Sequence, residues 1–144
     1  MSSCKDEETL FYSFTPVPLE WSKSEMAVIE LPDSLPRGEY AWDIEVRNTA
    51  FYPYRNLWLE MEIAGVKEEI AQGSLKTLHL ELTDSTGRWK NLESLGTYFI
   101  STFPQENKFV VADSTYHYQV RFRHIMEDER LKGISDIGIK LKKQ

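Results

Sequence analysis

The single cysteine, Cys4, is the most informative chemical group in the chain. One cysteine cannot form an internal disulfide. Two small residues, Ser2 and Ser3, precede it, and a charged run, residues 5–8, follows it. This arrangement is typical of the processing site of a bacterial lipoprotein, where the cysteine becomes the acylated first residue and the apolar signal lies upstream. We therefore predict lipid attachment at Cys4, and the alternative is a free thiol on a disordered tail.

The histidines do not form a recognisable metal pattern. His79, His117 and His124 fall on different predicted strands or strand ends. His79 and His117 should both point outward and would approach each other only if their strands were neighbours, and no carboxylate stands at ligand spacing on either strand. The Asp84 carboxylate could be a calcium ligand, but its loop lacks the alternating acidic positions of calcium-binding loops. A turn capped by the Asp84 side chain explains the residue without a metal. We expect no metal and no cofactor.

Acidic residues at alternate positions raise the question of glycoside hydrolysis, which needs two carboxyl groups about 5–9.5 Å apart. Glu60, Glu62 and Glu81 are the polar partners in alternating strands, which is typical of a solvated sheet face. Cys4 cannot serve as a nucleophile because a flexible tail cannot hold a base beside it. The chain has no Gly-x-Ser-x-Gly, phosphate loop or Cys-x-x-Cys. We predict that the protein is not an enzyme.

Aromatic residues provide the best candidate binding surface, formed by Tyr52, Tyr54, Arg55, Trp58 and Trp89. An outward Trp58 beside a Tyr-Pro-Tyr turn could stack on a sugar ring or receive a partner protein. The alternative is that these rings only complete the packing, with Trp58 beneath the neighbouring loop and Trp89 over the open end of the fold. Both interpretations remain open from the sequence.

The elements that position these residues are strands. Apolar and polar residues alternate along residues 42–46, 57–63, 78–82, 116–122 and 137–141. Side chains on a strand point to opposite faces in turn, so each run is predicted to have one buried face. The predicted core is therefore Trp42, Ile44, Val46, Leu57, Leu59, Met61, Leu78, Leu80, Leu82, Tyr118, Val120, Phe122, Ile137 and Ile139.

Less regular strands are predicted near residues 10–14, 26–31, 98–103 and 109–112, and one short helix over 126–132, which ends at Gly133. About nine strands separated by turns indicate an all-β fold. Parallel strands would need crossover helices, which the chain lacks. The predicted fold is an antiparallel two-sheet β-sandwich, jelly-roll or Ig-like, over residues 10–144, with a flexible tether over residues 1–9.

Size and charge narrow the functional classes. The 144 residues suit one domain that buries enough surface to be stable without disulfides. A net charge of −6 argues against nucleic acid and against docking on anionic lipid. No apolar run approaches the roughly 20 residues of a membrane-spanning helix.

Three segments carry a family resemblance. They are Arg47-Asn48 with YPYRNLWL at residues 52–59, LTDSTGRW at residues 82–89, and LKGISDIGI at residues 131–139. With Cys4 and the early Tyr-Ser-Phe, they resemble the gliding-motility lipoprotein family GldH of Bacteroidetes. The YPYxNLWL element is the most specific of them. The charged run after Cys4 is similar to the export signal of surface-exposed lipoproteins in that phylum.

The resemblance implies an outer-membrane, lipid-anchored protein that is associated with gliding motility and type IX secretion. Exposure on the cell surface and exposure to the periplasm are both open alternatives. It supplies no catalytic residue. The expected partners are envelope, motility or secretion proteins, with membrane contact through the lipid. The alternative function is a surface carbohydrate-binding module, which would take a glycan.

The lipid attachment leads to a direct test. Replacing Cys4 with Ala in the full-length protein should move it from the membrane fraction to the soluble fraction, because the acyl chains on this cysteine are the predicted anchor. Fractionation followed by immunoblotting measures the distribution. An unchanged distribution would show that the protein is held at the membrane by something else.

Overall fold

The structure, a computed structural model, describes residues 9–65, 75–84, 86, 88, 93–95, 98–112 and 117–143. Cys4 and Tyr116 lie outside these ranges. The described residues form twelve strands, which are β1 (Thr9–Pro16), β2 (Glu20–Ser22), β3 (Ala27–Glu30), β4 (Gly38–Thr49), β5 (Asn56–Gly65), β6 (Lys76–Glu81), β7 (Glu93–Leu95), β8 (Tyr98–Pro104), β9 (Phe109–Val111), β10 (Tyr118–His124), β11 (Arg130–Lys132) and β12 (Ile134–Lys143).

Two antiparallel sheets form the body of the domain. The larger has the order β1-β12-β4-β8-β7, with β9 also paired to β4, and the smaller has the order β3-β10-β5-β6. Apolar side chains from both sheets join in one core, as the predicted sandwich requires. The nine strands predicted from the sequence are all present. The three additional strands, β2, β7 and β11, have three residues each and lie outside the segments predicted as strands.

The predicted core is confirmed. Every member of the list is buried except Leu78, which is partly buried and packs against the cluster. Leu80 and Leu82, farther along the same segment, are buried as predicted. The core also contains large side chains from outside the alternating runs, above all Trp21 and Phe109, which are almost fully buried.

The helix predicted over residues 126–132 is wrong. The segment bends and then forms β11, in which Leu131 pairs with Trp21 of β2. Met126 and Leu131 are the apolar side chains of the segment. They are five residues apart, a spacing that would put them on different faces of an α-helix. A helix of two turns is also marginal without a shared apolar face. Strand pairing instead buries Leu131 completely beside Trp21.

Acidic side chains on the outer face of the larger sheet are buried rather than solvated. The Tyr12 hydroxyl donates to Glu45 Oε1 at 2.6 Å, and the Thr102 hydroxyl donates to Glu45 Oε2 at 3.0 Å. Asp43 is also buried and meets the Lys142 ammonium at 3.2 Å. Hydrogen bonds and an ion pair therefore offset the cost of removing these carboxylates from water.

Strand register defines two ends of the sandwich. At the amino end, Thr9 pairs with Lys142, and Tyr40 pairs with Lys143. At the opposite end, which we call the distal end, Thr49 pairs with Tyr98. In the smaller sheet, β10 starts at the amino end. The Tyr118 hydroxyl, at the start of β10, accepts a hydrogen bond from the amide of Ala112, which follows β9 beside the start of β4. The antiparallel partner β5 therefore begins at the distal end.

Core packing at the smaller sheet can be measured at Leu59, which is fully buried in β5. Leu59→Ala should lower the free energy of unfolding by about 2–5 kcal/mol, because it removes buried apolar area and leaves a cavity. Urea unfolding followed by tryptophan fluorescence gives the value. Leu75→Ala, the same substitution at an exposed position, is the matched control and should have little effect. A loss below 1 kcal/mol at Leu59 would contradict the core assignment.

Candidate functional site

Trp58 lies on the outer face of the smaller sheet, as strand parity predicts. Its neighbours Leu57 and Leu59 are fully buried, whereas 39% of Trp58 is exposed. His79 stands directly across from it on β6. The indole and imidazole stack with their centroids 4.1 Å apart and their planes 7° from parallel. His79 Nε2 lies 3.0 Å from Asn56 Oδ1, which fixes the imidazole and through it the indole.

The segment after β10 holds the backbone of Trp58. The Ile125 amide donates to the Trp58 carbonyl at 3.0 Å, and the Trp58 amide donates to Met126 Sδ at 3.3 Å. The Met126 amide in turn donates to His124 Nδ1 at 3.3 Å. Trp58 is therefore an exposed ring on a rigid support.

Tyr54 is the second exposed ring of the site, with 38% of the residue accessible. Its hydroxyl donates to Asp128 Oδ1 at 2.7 Å. This hydrogen bond to the carboxylate is the main reason that the pKa of Tyr54 is raised. The contact joins the loop before β5 to the segment before β11 and orients the Tyr54 ring.

Tyr52 does not belong to the exposed surface, which corrects the sequence-based assignment. Only 3% of it is exposed, and its hydroxyl donates to the Asn56 carbonyl at 2.5 Å. Burial is the main reason that the pKa of Tyr52 is strongly raised. The turn after Thr49 directs this ring inward, where it lies nearly perpendicular to the Tyr54 ring at a centroid distance of 5.8 Å. Tyr52 therefore supports Tyr54 from below.

Arg55 is exposed beside these rings, and its carbonyl accepts from the Leu82 amide at 2.8 Å. Its exposed side chain is accessible to a partner. Trp89 lies outside the described residues. The structure thus brings together Tyr54, Arg55 and Trp58, and it adds His79, Asn56, Met126 and Asp128 as supporting residues. His79, Met126 and Asp128 come from distant strands and loops that no local pattern in the sequence marks, whereas Asn56 lies beside Arg55 in the YPYRNLWL segment.

The remaining histidines have structural contacts. His117 and His79 do not meet, because β5 separates their strands. His117 Nε2 lies 2.6 Å from Glu30 Oε1, and Nδ1 lies 2.7 Å from Asp33 Oδ1. These two hydrogen bonds raise the pKa of His117, and they occupy both ring nitrogens. The two carboxylates lie on different sides of the ring, so they join β3 and its following loop to β10.

The acidic candidates also have structural partners. Asp84 Oδ1 accepts from the Thr86 amide at 2.9 Å and from the Arg88 amide at 3.0 Å, which confirms a turn capped by the aspartate. Glu60 pairs with Arg123, and Glu62 pairs with Arg121 at 3.3 Å, so both carboxylates are held by arginines across the sheet. Within the described part of the chain, no group of three acidic, histidine or cysteine side chains is placed to hold a metal.

The site is therefore an aromatic surface at the distal end, supported by hydrogen bonds and by ring contacts. A stacked indole and a tethered phenol can bury apolar area against a partner while their positions stay fixed. No helix among the described residues is long and apolar enough to cross a membrane.

Comparison with known protein families shows the family to which the chain belongs. A family model described as GldH lipoprotein matches residues 9–141. The chain belongs to the GldH lipoprotein family. The match confirms the resemblance carried by the YPYRNLWL, LTDSTGRW and LKGISDIGI segments, and the family name indicates a lipid-anchored protein of the cell envelope. These segments contribute the exposed rings of the site and the glycine, Gly133, that packs beneath Tyr52.

A curated relative in the same family is the "Gliding motility lipoprotein GldH homolog" of Christiangramia forsetii. It is 26% identical over 151 residues, covering 99% of this GldH-family chain and 88% of the relative. Among solved structures, the crystal structure of dimeric latent PorU from Porphyromonas gingivalis aligns with a TM-score of 0.41 at 9% identity, covering 98% of this chain and 14% of that one.

His124 makes stability depend on pH. It is buried, and its Nε2–H donates to the Trp21 carbonyl at 2.8 Å while Nδ1 accepts from Met126, so the ring is neutral. Burial lowers its pKa below the ordinary value of about 6.5. As pH falls below that value, His124 takes up a proton in the unfolded state first. The folded protein therefore loses the stability that the neutral ring contributes as the pH approaches the lower pKa of folded His124.

The free energy of unfolding of the His124→Gln variant should therefore approach that of the wild type as pH falls from 7.5 to 5.5. Glutamine can donate and accept at this position but does not titrate in this range. Urea titrations of both proteins at each pH measure the difference. A difference that stays constant or widens at low pH would contradict a neutral buried His124.

Proposed function

We propose that this protein is a lipid-anchored, non-enzymatic accessory protein of the outer membrane that acts through protein–protein contacts with the gliding or type IX secretion machinery. Tyr54, Arg55 and Trp58 at the distal end form the contact surface. Membership of the GldH lipoprotein family supports the anchor and the cellular setting. The observation that carries the contact surface is the exposed Trp58 ring, which stacks on His79 while the Trp58 backbone amide is bonded to Met126 Sδ.

Pre-organisation explains why such a ring favours binding. A side chain that is already fixed loses little rotational freedom when a partner covers it. Tryptophan, tyrosine and arginine are also enriched among the residues that dominate interface energies. The tether of Tyr54 to Asp128 and the stack of Trp58 on His79 place both rings in one orientation before any partner arrives.

The position of the surface agrees with a membrane anchor. The proposed lipid on Cys4 precedes Thr9, the first residue of β1, at the amino end of the sandwich. The segment between them reaches only about 18 Å when fully extended. The distal end is therefore the end of the sandwich farther from the attachment point at Cys4, where a partner protein can reach it. Display on the outer surface of the cell would give this end access to extracellular partners.

A carbohydrate-binding function is the second candidate, and the exposed indole supports it. Sugar recognition by stacking needs an open ring face, and His79 covers one face of Trp58. The Tyr54 ring lies nearly perpendicular to the Tyr52 ring, so the two tyrosines do not form a flat platform. The surface therefore offers one open indole face, which fits a protein contact better than an extended glycan.

The double variant Tyr54→Ser with Trp58→Ser tests the surface. It should abolish gliding, or secretion through the type IX system in a strain that does not glide, because it removes the two exposed rings. The melting temperature should change by less than about 3 °C, since both side chains are exposed. Motility or secretion assays and thermal unfolding measure the two effects.

Val110→Ser is the matched control, because Val110 is an exposed apolar residue on β9 at the amino end. It should leave motility and secretion unchanged. A large loss of stability in the double variant would show that the rings belong to the core. Normal motility and secretion with a stable double variant would place the partner surface elsewhere, and binding of the wild type on a glycan array would favour the second candidate.

A further inference from the structure

We propose that a groove at the distal end, separate from the aromatic site, binds an extended peptide segment of a partner protein that presents an apolar side chain beside a carboxylate. The groove has a volume of about 810 Å³. Its lining includes Leu19, Phe51 and Tyr98, together with the cationic side chains of Arg47 and Lys132. This volume lies within the range of about 300–1,000 Å³ that is typical of ligand sites.

The groove has an unusually apolar rim. Leu19 is 88% exposed and Phe51 is 86% exposed, the highest values among the large apolar side chains of the described residues. Covering two such side chains is favourable by about 25 cal/mol for each Å² removed from water. Their exposure beside one concave surface is typical of a docking site.

The rim is held in place by hydrogen bonds. The Phe51 amide donates to the Thr49 hydroxyl at 3.2 Å, and the Thr49 amide donates to the Gly133 carbonyl at 2.8 Å. On the other side, the Val17 amide, close to Leu19, donates to the Ser135 carbonyl at 3.0 Å. Both exposed side chains therefore sit close to anchored backbone, which limits the ordering that binding requires.

Arg47 supplies the group that would recognise a carboxylate. Its guanidinium lies over the Phe14 ring at 3.8 Å, and its Nε is buried without a hydrogen-bond partner. Across the described ranges, no ion pair within 4 Å involves Arg47. An arginine fixed by stacking and without an ion-pair partner among the described residues suits a carboxylate, which its terminal nitrogens can bind through two parallel hydrogen bonds.

The other charges limit the ligand to a single negative group. Lys132 lies 3.9 Å from Glu20 in an exposed pair, and Asp136 accepts a hydrogen bond from the Ser135 hydroxyl. The lining thus contains two cations and two carboxylates. A polyanion would meet Glu20 and Asp136, whereas one carboxylate can reach Arg47 with an apolar group covering Phe51.

A peptide is favoured over a membrane by the position of the groove. Leu19 and Phe51 lie at the end opposite Thr9, so they are far from the point at which the lipid on Cys4 would enter the bilayer. This placement rests on the proposed lipid anchor. Peptide binding to the protein in solution needs no lipid, so a failure to bind and a failure of the proposed function are distinguishable.

Nuclear magnetic resonance titration of the complete chain with two small probes tests the proposal. The probes are N-acetyl-phenylalanyl-leucine with a free carboxylate and the same dipeptide with a C-terminal amide. The acid should shift the amide signals of Arg47, Phe51 and Gly133 in a saturable manner. The amide should bind about tenfold more weakly, because it cannot form the charge-assisted hydrogen bonds with Arg47.

Two variants complete the experiment. Arg47→Gln should remove the difference between the acid and the amide, with the remaining spectrum preserved. Phe51→Ser, at a position too exposed to affect folding, should weaken both probes equally. Val110→Ser, at the amino end, is the control and should bind like the wild type.

Three outcomes would overturn the proposal. Equal binding of the acid and the amide to the wild type would show an apolar site without carboxylate recognition. Shifts that do not saturate, or that lie away from the groove, would show that these residues bind no such peptide. Dimerisation of the wild type in sedimentation that disappears in Phe51→Ser would show that a second copy of the chain occupies the groove.

Discussion

The close packing of Tyr52 on Gly133 is the contact on which the distal end depends. Gly133 has a φ of +102°, and a Cβ there would lie 2.5 Å from the Tyr52 Cα, so a side chain at this position is excluded. The same glycine presents its carbonyl to the Thr49 amide. Together these contacts fix the loop between β4 and β5, and they keep the Tyr52 ring buried.

This loop determines where β5 begins, and the starting point determines which face each side chain occupies. The Tyr52 hydroxyl donates to the carbonyl of Asn56, the first residue of β5. With Leu57 and Leu59 committed to the core, Trp58 must face outward. A shift of one residue would bury the indole and expose both leucines. The exposed tryptophan is therefore a consequence of core packing.

The distal end combines two surfaces of different chemistry. Tyr54 and Trp58 form a fixed aromatic surface beside the smaller sheet, whereas Leu19, Phe51 and Arg47 surround a groove beside the larger sheet. Thr49 and Gly133 stand between them, so both surfaces rest on the same backbone contacts. A partner that engages both would bind through two patches held at a constant separation.

The alternating pattern of the sequence predicted five strands and the faces of their side chains, because burial of one sheet face imposes a period of two. Trp58 could be placed outward for that reason. Less regular apolar segments indicated four more strands without assigning their faces. The alternating pattern could not reveal the short strands β2 and β11, whose pairing buries Trp21 beside Leu131, because three residues carry no period. The helix predicted over residues 126–132 covers the segment that forms β11.

Tertiary structure alone decided which candidate rings form a surface. Tyr52 and Tyr54 have the same residue type and flank one proline, yet the first is buried on Gly133 and the second bonds to Asp128. The partners that make this distinction are more than seventy positions away along the chain. Residue type and strand parity are local properties, which the sequence by itself determines. The choice between core and surface at a loop depends on distant contacts, which only the folded chain brings together.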